Sequence, residues 1–187
     1  MTGGSIWLLR HAESVWNATG RWQGHADVPL SERGVRQAAV AAPRVAAALA
    51  VERLQHLYCS DLQRAVDTAR AVGHVLGLEP VLVPGLRELD VGSWMGLSTE
   101  QIEQRDPERL HAFQAGEPDV RPGGGETRRE IRKRVRRVVS GLVAADPSAS
   151  VLCVVHLGVV RALIPGAEPA HTALERTSLD EIARLTA

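Results

Sequence analysis

The stretch Val151–Leu163, VLCVVHLGVVRAL, sets an unbroken apolar run directly against His156 and Gly158, with a short helix expected after them. An apolar run without alternation is what a strand covered on both faces requires, because neither side meets water. Ile6–Leu9 and His56–Ser60 read the same way. Helical patterns lie between these strands. Ser31 caps an Ala-rich helix continuing through Gln37–Leu49, with a kink or break expected at Pro43. Leu62–Leu76 is a second helix, ended by Gly77. Thr127–Val143 is a third, with Ile131, Val135, Val138 and Leu142 on one apolar stripe. Its other face carries Arg128, Arg129, Arg132, Lys133, Arg134, Arg136 and Arg137, and is expected to be solvated. Pro118–Gly125 reads as a loop. Strands alternating with helices imply an α/β fold with a mostly parallel sheet, whose ligands bind beyond the carboxyl ends of the strands.

The bulk numbers agree with one globular unit, residues 1–187, of ordinary composition: 44% hydrophobic and 24% charged. Aromatic residues make up only 3%, so Ala, Val and Leu must build the core. Lys plus Arg and Asp plus Glu are both 22, for a net charge of zero. That balance argues against a nucleic-acid or membrane-surface partner, either of which needs a cationic surplus. No signal peptide is visible before Arg10, and no apolar run approaches a membrane span. Cys59 and Cys153, inside strand-like runs, read as buried free thiols of a cytoplasmic protein.

The three strands run into polar residues of one chemical kind. The first ends in Arg10–His11, the second at Ser60 with Arg64 a turn later, and the last at His156. In a parallel sheet all three ends open on one rim, where two arginines and two histidines beside a helix N-terminus suit a phosphate dianion. Taken singly, each has a structural explanation: a satisfied histidine, a helix-face arginine. Together they favour an anion, since clustered cations cost energy without one. Zinc is the rival reading of His11, His156 and His25. No HExxH or paired CxxC supports it, and the adjacent arginines would repel a cation, so neither metal nor other cofactor is expected.

At these residues the chain resembles the histidine phosphatase superfamily, which includes phosphoglycerate mutases and small phosphatases. LRHAESVWN (Leu9–Asn17) is similar to its Arg-His signature, followed by GRWQGHADVPLSERG (Gly20–Gly34). CSDLQRAVDTA (Cys59–Ala69), LRELDVGSWMGLS (Leu86–Ser98), PGGGET (Pro122–Thr127) and VVHLGVVRAL (Val154–Leu163) resemble later motifs, in family order. Three positions depart from the family's common residues: Ala12 and Leu157 stand for glycine, and Asp61 for proline. The resemblance implies a three-layer α/β/α, phosphoglycerate mutase-like fold. It also implies a last strand near Thr177–Ile182, where Ser178 to Glu181 equally spells a helix capping box.

Carried over residue by residue, the resemblance implies that His11 is the nucleophile, its attacking nitrogen uncharged because the other ring nitrogen donates to a nearby acceptor. Arg10, Arg64 and His156 would grip the phosphoryl oxygens, with Asn17 and the backbone amides of Leu157 and Gly158 as further donors. Gln23 and Gly24 would line the substrate side. Glu88 would be the general acid and base, with Asp90 and Glu13 as rival carboxylates. Trp16, Trp22 and Trp94 fit equally an apolar wall for the leaving group or packing under the loops. The implied activity is metal-independent hydrolysis of a small phosphorylated metabolite through phosphohistidine. The short segment between Gly92 and Gly125 and the short tail disfavour the alternative, a cofactor-dependent mutase. A catalytically silent phospho-ligand reader would have lost one of these groups, and all are present. The sequence is compatible with a homodimer and leaves the natural substrate open.

Overall fold

The computed structural model describes residues 4–52, 54–144 and 146–185. Its centre is a five-stranded sheet: β1 (Ile6–Arg10), β2 (Leu54–Cys59), β3 (Pro80–Leu82), β4 (Ser150–Val155) and β5 (Leu174–Thr177), in the order β3-β2-β4-β1-β5. All neighbours are parallel except β1 and β5, which are antiparallel.

β4 lies at the middle, and all six of its residues are buried. Its side chains alternate between two cores. Val151, Cys153 and Val155 pack with Ile6 and Leu8 against the helices α6 and α7 defined below, whereas Leu152 and Val154 pack with Leu9, Leu57 and Cys59 against α2 and α3. Two apolar faces on each central strand explain the unbroken apolar runs. Burial pushes the Cys59 thiol up to about 11 and the Cys153 thiol up to about 12, and both cysteines are free.

A short α1 (Val15–Ala18) follows the first strand, and α2 (Glu32–Ala48) is capped by Ser31, which accepts from the Gly34 amide. α2 passes through Pro43 without a break. Proline removes one bond to the preceding turn, but Ala38, Ala41, Ala42 and Val45 are buried on both sides of it and hold the helix to the sheet. α3 (Gln63–Leu76) ends at Gly77, whose φ of 68° is left-handed. The connection toward the second half contains α4 (Thr99–Arg105) and α5 (Pro107–Gln114). Pro118–Gly125 is a loop apart from a 3-10 turn at Pro122–Gly124.

α6 (Arg128–Val143) buries Ile131, Val135, Val139 and Val143, with Val138 and Leu142 only partly covered. The buried stripe keeps a four-residue spacing and so slants around the helix, parting from the expected one by a residue in its second half. α7 (Leu157–Leu163) follows β4 directly. At the C-terminal end the capping-box reading holds and the strand expected near Thr177–Ile182 does not: β5 lies earlier and closes at Thr177, and Ser178 caps α8 (Leu179–Arg184) by accepting from the Glu181 amide. Helices on both faces make three layers, α/β/α. Among the described residues no helix is long and apolar enough to cross a membrane.

Candidate active site

The carboxyl ends of β1 and β4 are adjacent, because Arg10 pairs with Val155 in register. His11 and His156 are therefore neighbours, their ring centres 5.0 Å apart at 61°. Both are buried, at 3% and 0% exposure, which decides their charge state. Burial holds each imidazole well below its ordinary pKa, and the Arg64 guanidinium pushes in the same direction. A bond from the His11 ring to the Ala12 carbonyl only partly opposes this. That bond fixes the tautomer: a carbonyl can only accept, so Nδ1–H donates to it at 2.6 Å and Nε2 keeps its lone pair. His171, on the way to β5, was not anticipated. Its Nδ1–H donates to the His11 carbonyl at 3.1 Å, and its ring centre lies 5.7 Å from that of His11.

Arg64 enters from the first turn of α3 and is fully buried, which lowers its pKa to about 10, still charged at neutral pH. It donates to the carbonyls of Ala26 and Gly24 at 2.8 and 2.9 Å. Arg10 donates to the Pro169 carbonyl at 2.7 Å. Buried polar atoms are normally paired, yet Nε of both arginines and both ring nitrogens of His156 have no protein partner.

A cavity of about 420 Å³ opens above these groups, lined by Arg10, His11, Asn17, Gln23, Gly24, Arg64, Glu88, Leu157 and Gly158. Of the ten residues singled out from sequence, only His156 is missing from that lining; it is buried against His11. Asn17 Oδ1 accepts from the Ser14 amide at 3.1 Å, which leaves its NH₂ as the remaining donor. Gln23 Oε1 accepts from the Ser14 hydroxyl at 2.7 Å.

Glu88 is held from several sides. Its Oε1 accepts from the Leu89 amide at 2.8 Å and its Oε2 from the Gly158 amide at 3.2 Å. The Gly158 amide, expected to face phosphate, thus serves the carboxylate. A Cβ at Gly158 would lie 2.2 Å from Glu88 Oε1, so any side chain there would push the carboxylate out of its place. The Glu88 carbonyl accepts from His25 Nε2 and from Arg134, at 2.8 and 3.2 Å. His25 therefore buttresses the carboxylate's backbone and does not join the other histidines as a ligand. Among the described residues no group of three or more His, Cys, Asp or Glu side chains could hold a metal ion. The rival carboxylates are engaged elsewhere: Asp90 accepts from the Gly92 amide, and Glu13 accepts from the Ser31 hydroxyl and faces Arg33. Asp61, which stands where proline is common, forms a two-pronged ion pair with Arg87 at 2.8 and 2.6 Å, next to Glu88 in sequence.

The tryptophans divide. Trp22 lines the cavity with Phe113 and packs edge-on against Trp94, which is itself core. Trp16 lies against Gly96. Arg21, Arg128, Arg132 and Arg161 also line the cavity. The first and last of these went unread in the sequence, and the two on α6 were assigned to a solvated face. The signal available was the four-residue spacing of Arg128 and Arg132, which puts both on one side of the helix.

Known proteins resemble this chain over most of its length. A protein of Arabidopsis thaliana named metal-independent phosphoserine phosphatase is 36% identical over 160 residues, 84% of this chain and 66% of that one. The chain thus spans about two thirds of that relative's length. A protein of Cronobacter sakazakii named probable phosphoglycerate mutase GpmB is 34% identical, covering 81% of this chain and 68% of its own. The solved structure of a mycobacterial glucosyl-3-phosphoglycerate phosphatase with VO3 superimposes with a TM-score of 0.83 at 31% identity, covering 94% and 92% of the two chains. The model of the histidine phosphatase superfamily, branch 1, matches residues 6–183, and with a match of that extent the chain belongs to this superfamily.

Proposed function

We propose that the chain is a single histidine phosphatase domain that hydrolyses a small phosphorylated metabolite through phosphohistidine. The observation that carries this reading is His11 itself: Nδ1–H held by the Ala12 carbonyl, Nε2 uncharged, at a cavity lined by Arg10 and Arg64. In the first step Nε2 attacks phosphorus and the P–N bond forms as the ester P–O bond breaks. The leaving oxygen takes the proton of the Glu88 carboxyl group. Water then attacks phosphorus and gives its proton to Glu88, the P–N bond breaks, and inorganic phosphate leaves with His11 restored. Arg10, Arg64 and a donor nitrogen of His156 stabilise the charge of the transferring group, each on the order of 3 kcal/mol. Their partnerless buried nitrogens support this role, since phosphoryl oxygens would satisfy donors that are otherwise costly to bury.

The relative named metal-independent phosphoserine phosphatase supports hydrolysis without a metal. Release of nitrophenol from p-nitrophenyl phosphate in EDTA, compared between the wild type and His11→Ala, tests the reading. Loss of turnover in the variant is expected; equal turnover overturns it. The relative named a mutase favours a second reading, in which phosphohistidine returns its phosphoryl group to a rotated intermediate. Supplied with 3-phosphoglycerate and a trace of 2,3-bisphosphoglycerate, the chain is expected to release phosphate; conversion to 2-phosphoglycerate would establish the mutase instead.

A further inference from the structure

The cavity is larger than a phosphoryl group needs, and its outer part has a chemical character that the reaction at His11 leaves unused. Six arginines line it, Arg10, Arg21, Arg64, Arg128, Arg132 and Arg161, against a single carboxylate, Glu88. Arg10 and Arg64 suffice to offset a phosphoryl dianion. Arg161 is paired with Glu168. Among the described residues Arg21, Arg128 and Arg132 have no ion-pair partner.

Two of them are held in place. Arg21 donates to the Gly96 carbonyl at 2.6 Å. Arg128 donates to the Phe113 carbonyl at 3.0 Å, with its guanidinium 4.2 Å from the centre of that ring and its buried Nε unpartnered. Arg132 follows one turn later on α6, on the same side. Burial disfavours the charge on Arg128, and Arg161 and Arg132 add to the effect. A concave cluster of cations with unspent donors is stabilised when an anion enters it. Trp22 and Phe113 line the same cavity and offer apolar surface to a short carbon frame.

We propose that this outer set selects a phosphomonoester whose leaving group carries a second anionic group, a carboxylate or a further phosphate, held by Arg128 and Arg132 together with Arg21. The assignment rests on the phosphatase reading above and names its substrate class.

Phosphate release by the full chain from matched esters tests it. One pair is 3-phosphoglycerate and glycerol 3-phosphate, which differ by a carboxylate for a CH₂OH; the other is the bisphosphate and monophosphate of 1,3-propanediol. The expected result is a kcat/KM preference of about 10- to 100-fold for the doubly anionic member of at least one pair. Which pair shows it identifies the anion. Arg132→Gln and Arg128→Gln should each move that ratio toward one. The comparison of esters on the wild type needs no variant, and Arg132 is an exposed helix residue whose replacement leaves the core untouched. A ratio near one for both pairs, or a ratio retained in both variants, overturns the proposal while His11-dependent hydrolysis stands. Absence of His11-dependent release from every ester overturns the phosphatase reading, and this proposal with it.

Discussion

At the residue scale, the proposed reaction turns on an imidazole kept neutral and a carboxylate kept in place. Burial and Arg64 lower the His11 pKa well below its usual value, so the proposed nucleophile stays competent in mild acid. The limb of the kcat/KM profile set by His11 is therefore expected below pH 6.5, the ordinary imidazole value; a titration at or above that value with an aryl phosphate would contradict this. Glu88→Gln removes the proton donor, so hydrolysis of an alkyl phosphate should fall by about 10²- to 10⁴-fold, and p-nitrophenyl phosphate, whose leaving group needs no proton, should suffer less. Equal losses on the two esters would remove Glu88 from that role. Gly158→Ala is a subtler probe. Alanine suits a helix, but its Cβ would displace the Glu88 carboxylate by about 1 Å, enough to cost on the order of 100-fold in kcat while circular dichroism stays unchanged. Glu88 was singled out only by the family resemblance, whereas Arg10, His11, Arg64 and His156 were legible because they lie at or shortly after strand ends, and a strand end is a fixed place in a parallel sheet. Arg21, Arg128 and Arg161 were not, because a long side chain reaches a site from an element whose packing angle no local spacing encodes.

At the scale of elements, α6 does two jobs. Its apolar stripe covers one face of the sheet, while Arg134 binds the Glu126 carboxylate at 2.9 and 2.6 Å and the carbonyls of Gly85, Arg87 and Glu88. One guanidinium thus ties the helix to the segment that presents the proposed acid. Lysine keeps the charge but not the fork. Arg134→Lys is expected to destabilise the fold by on the order of 2 kcal/mol in urea titrations and to lower kcat more than it changes KM; an unaltered kcat would show that the Glu88 segment holds itself. The basic run on α6 is solvated at Arg129, Arg132, Lys133 and Arg137, as expected, but charge alone does not reveal neighbours. Arg134 pairs with Glu126 and Arg128 lies over Phe113, both contacts made by other segments. Pro43 shows the same principle: the local rule predicted a kink or a break, and with packing on both sides the helix continues without a break.

For the whole molecule, the two buried imidazoles couple folding to acidity. Above about pH 6.5 they are neutral both folded and unfolded, and contribute nothing to the pH dependence. Below it the unfolded chain takes up protons that the folded one refuses, so stability should fall by about 1.4 kcal/mol per pH unit for each imidazole until the lowered folded values are reached. Urea midpoints that rise or hold steady from pH 7 to 5.5 would contradict this, and His156→Gln should flatten the slope. The layered architecture was legible from three apolar runs and the helices between them. The antiparallel β5 and the helix behind it were not resolved, because the stretch Thr177–Ile182 satisfied both patterns, and the structure makes it a capped helix with the strand just before it. That closing segment reaches back to the opening one: β5 pairs with β1, Pro169 receives Arg10, the Thr172 amide donates to the Arg10 carbonyl, and His171 holds the His11 carbonyl. During synthesis, then, the first dozen residues leave the ribosome long before the stretch that clasps them, and a nascent chain halted before Pro169 should be unable to turn over phosphate esters.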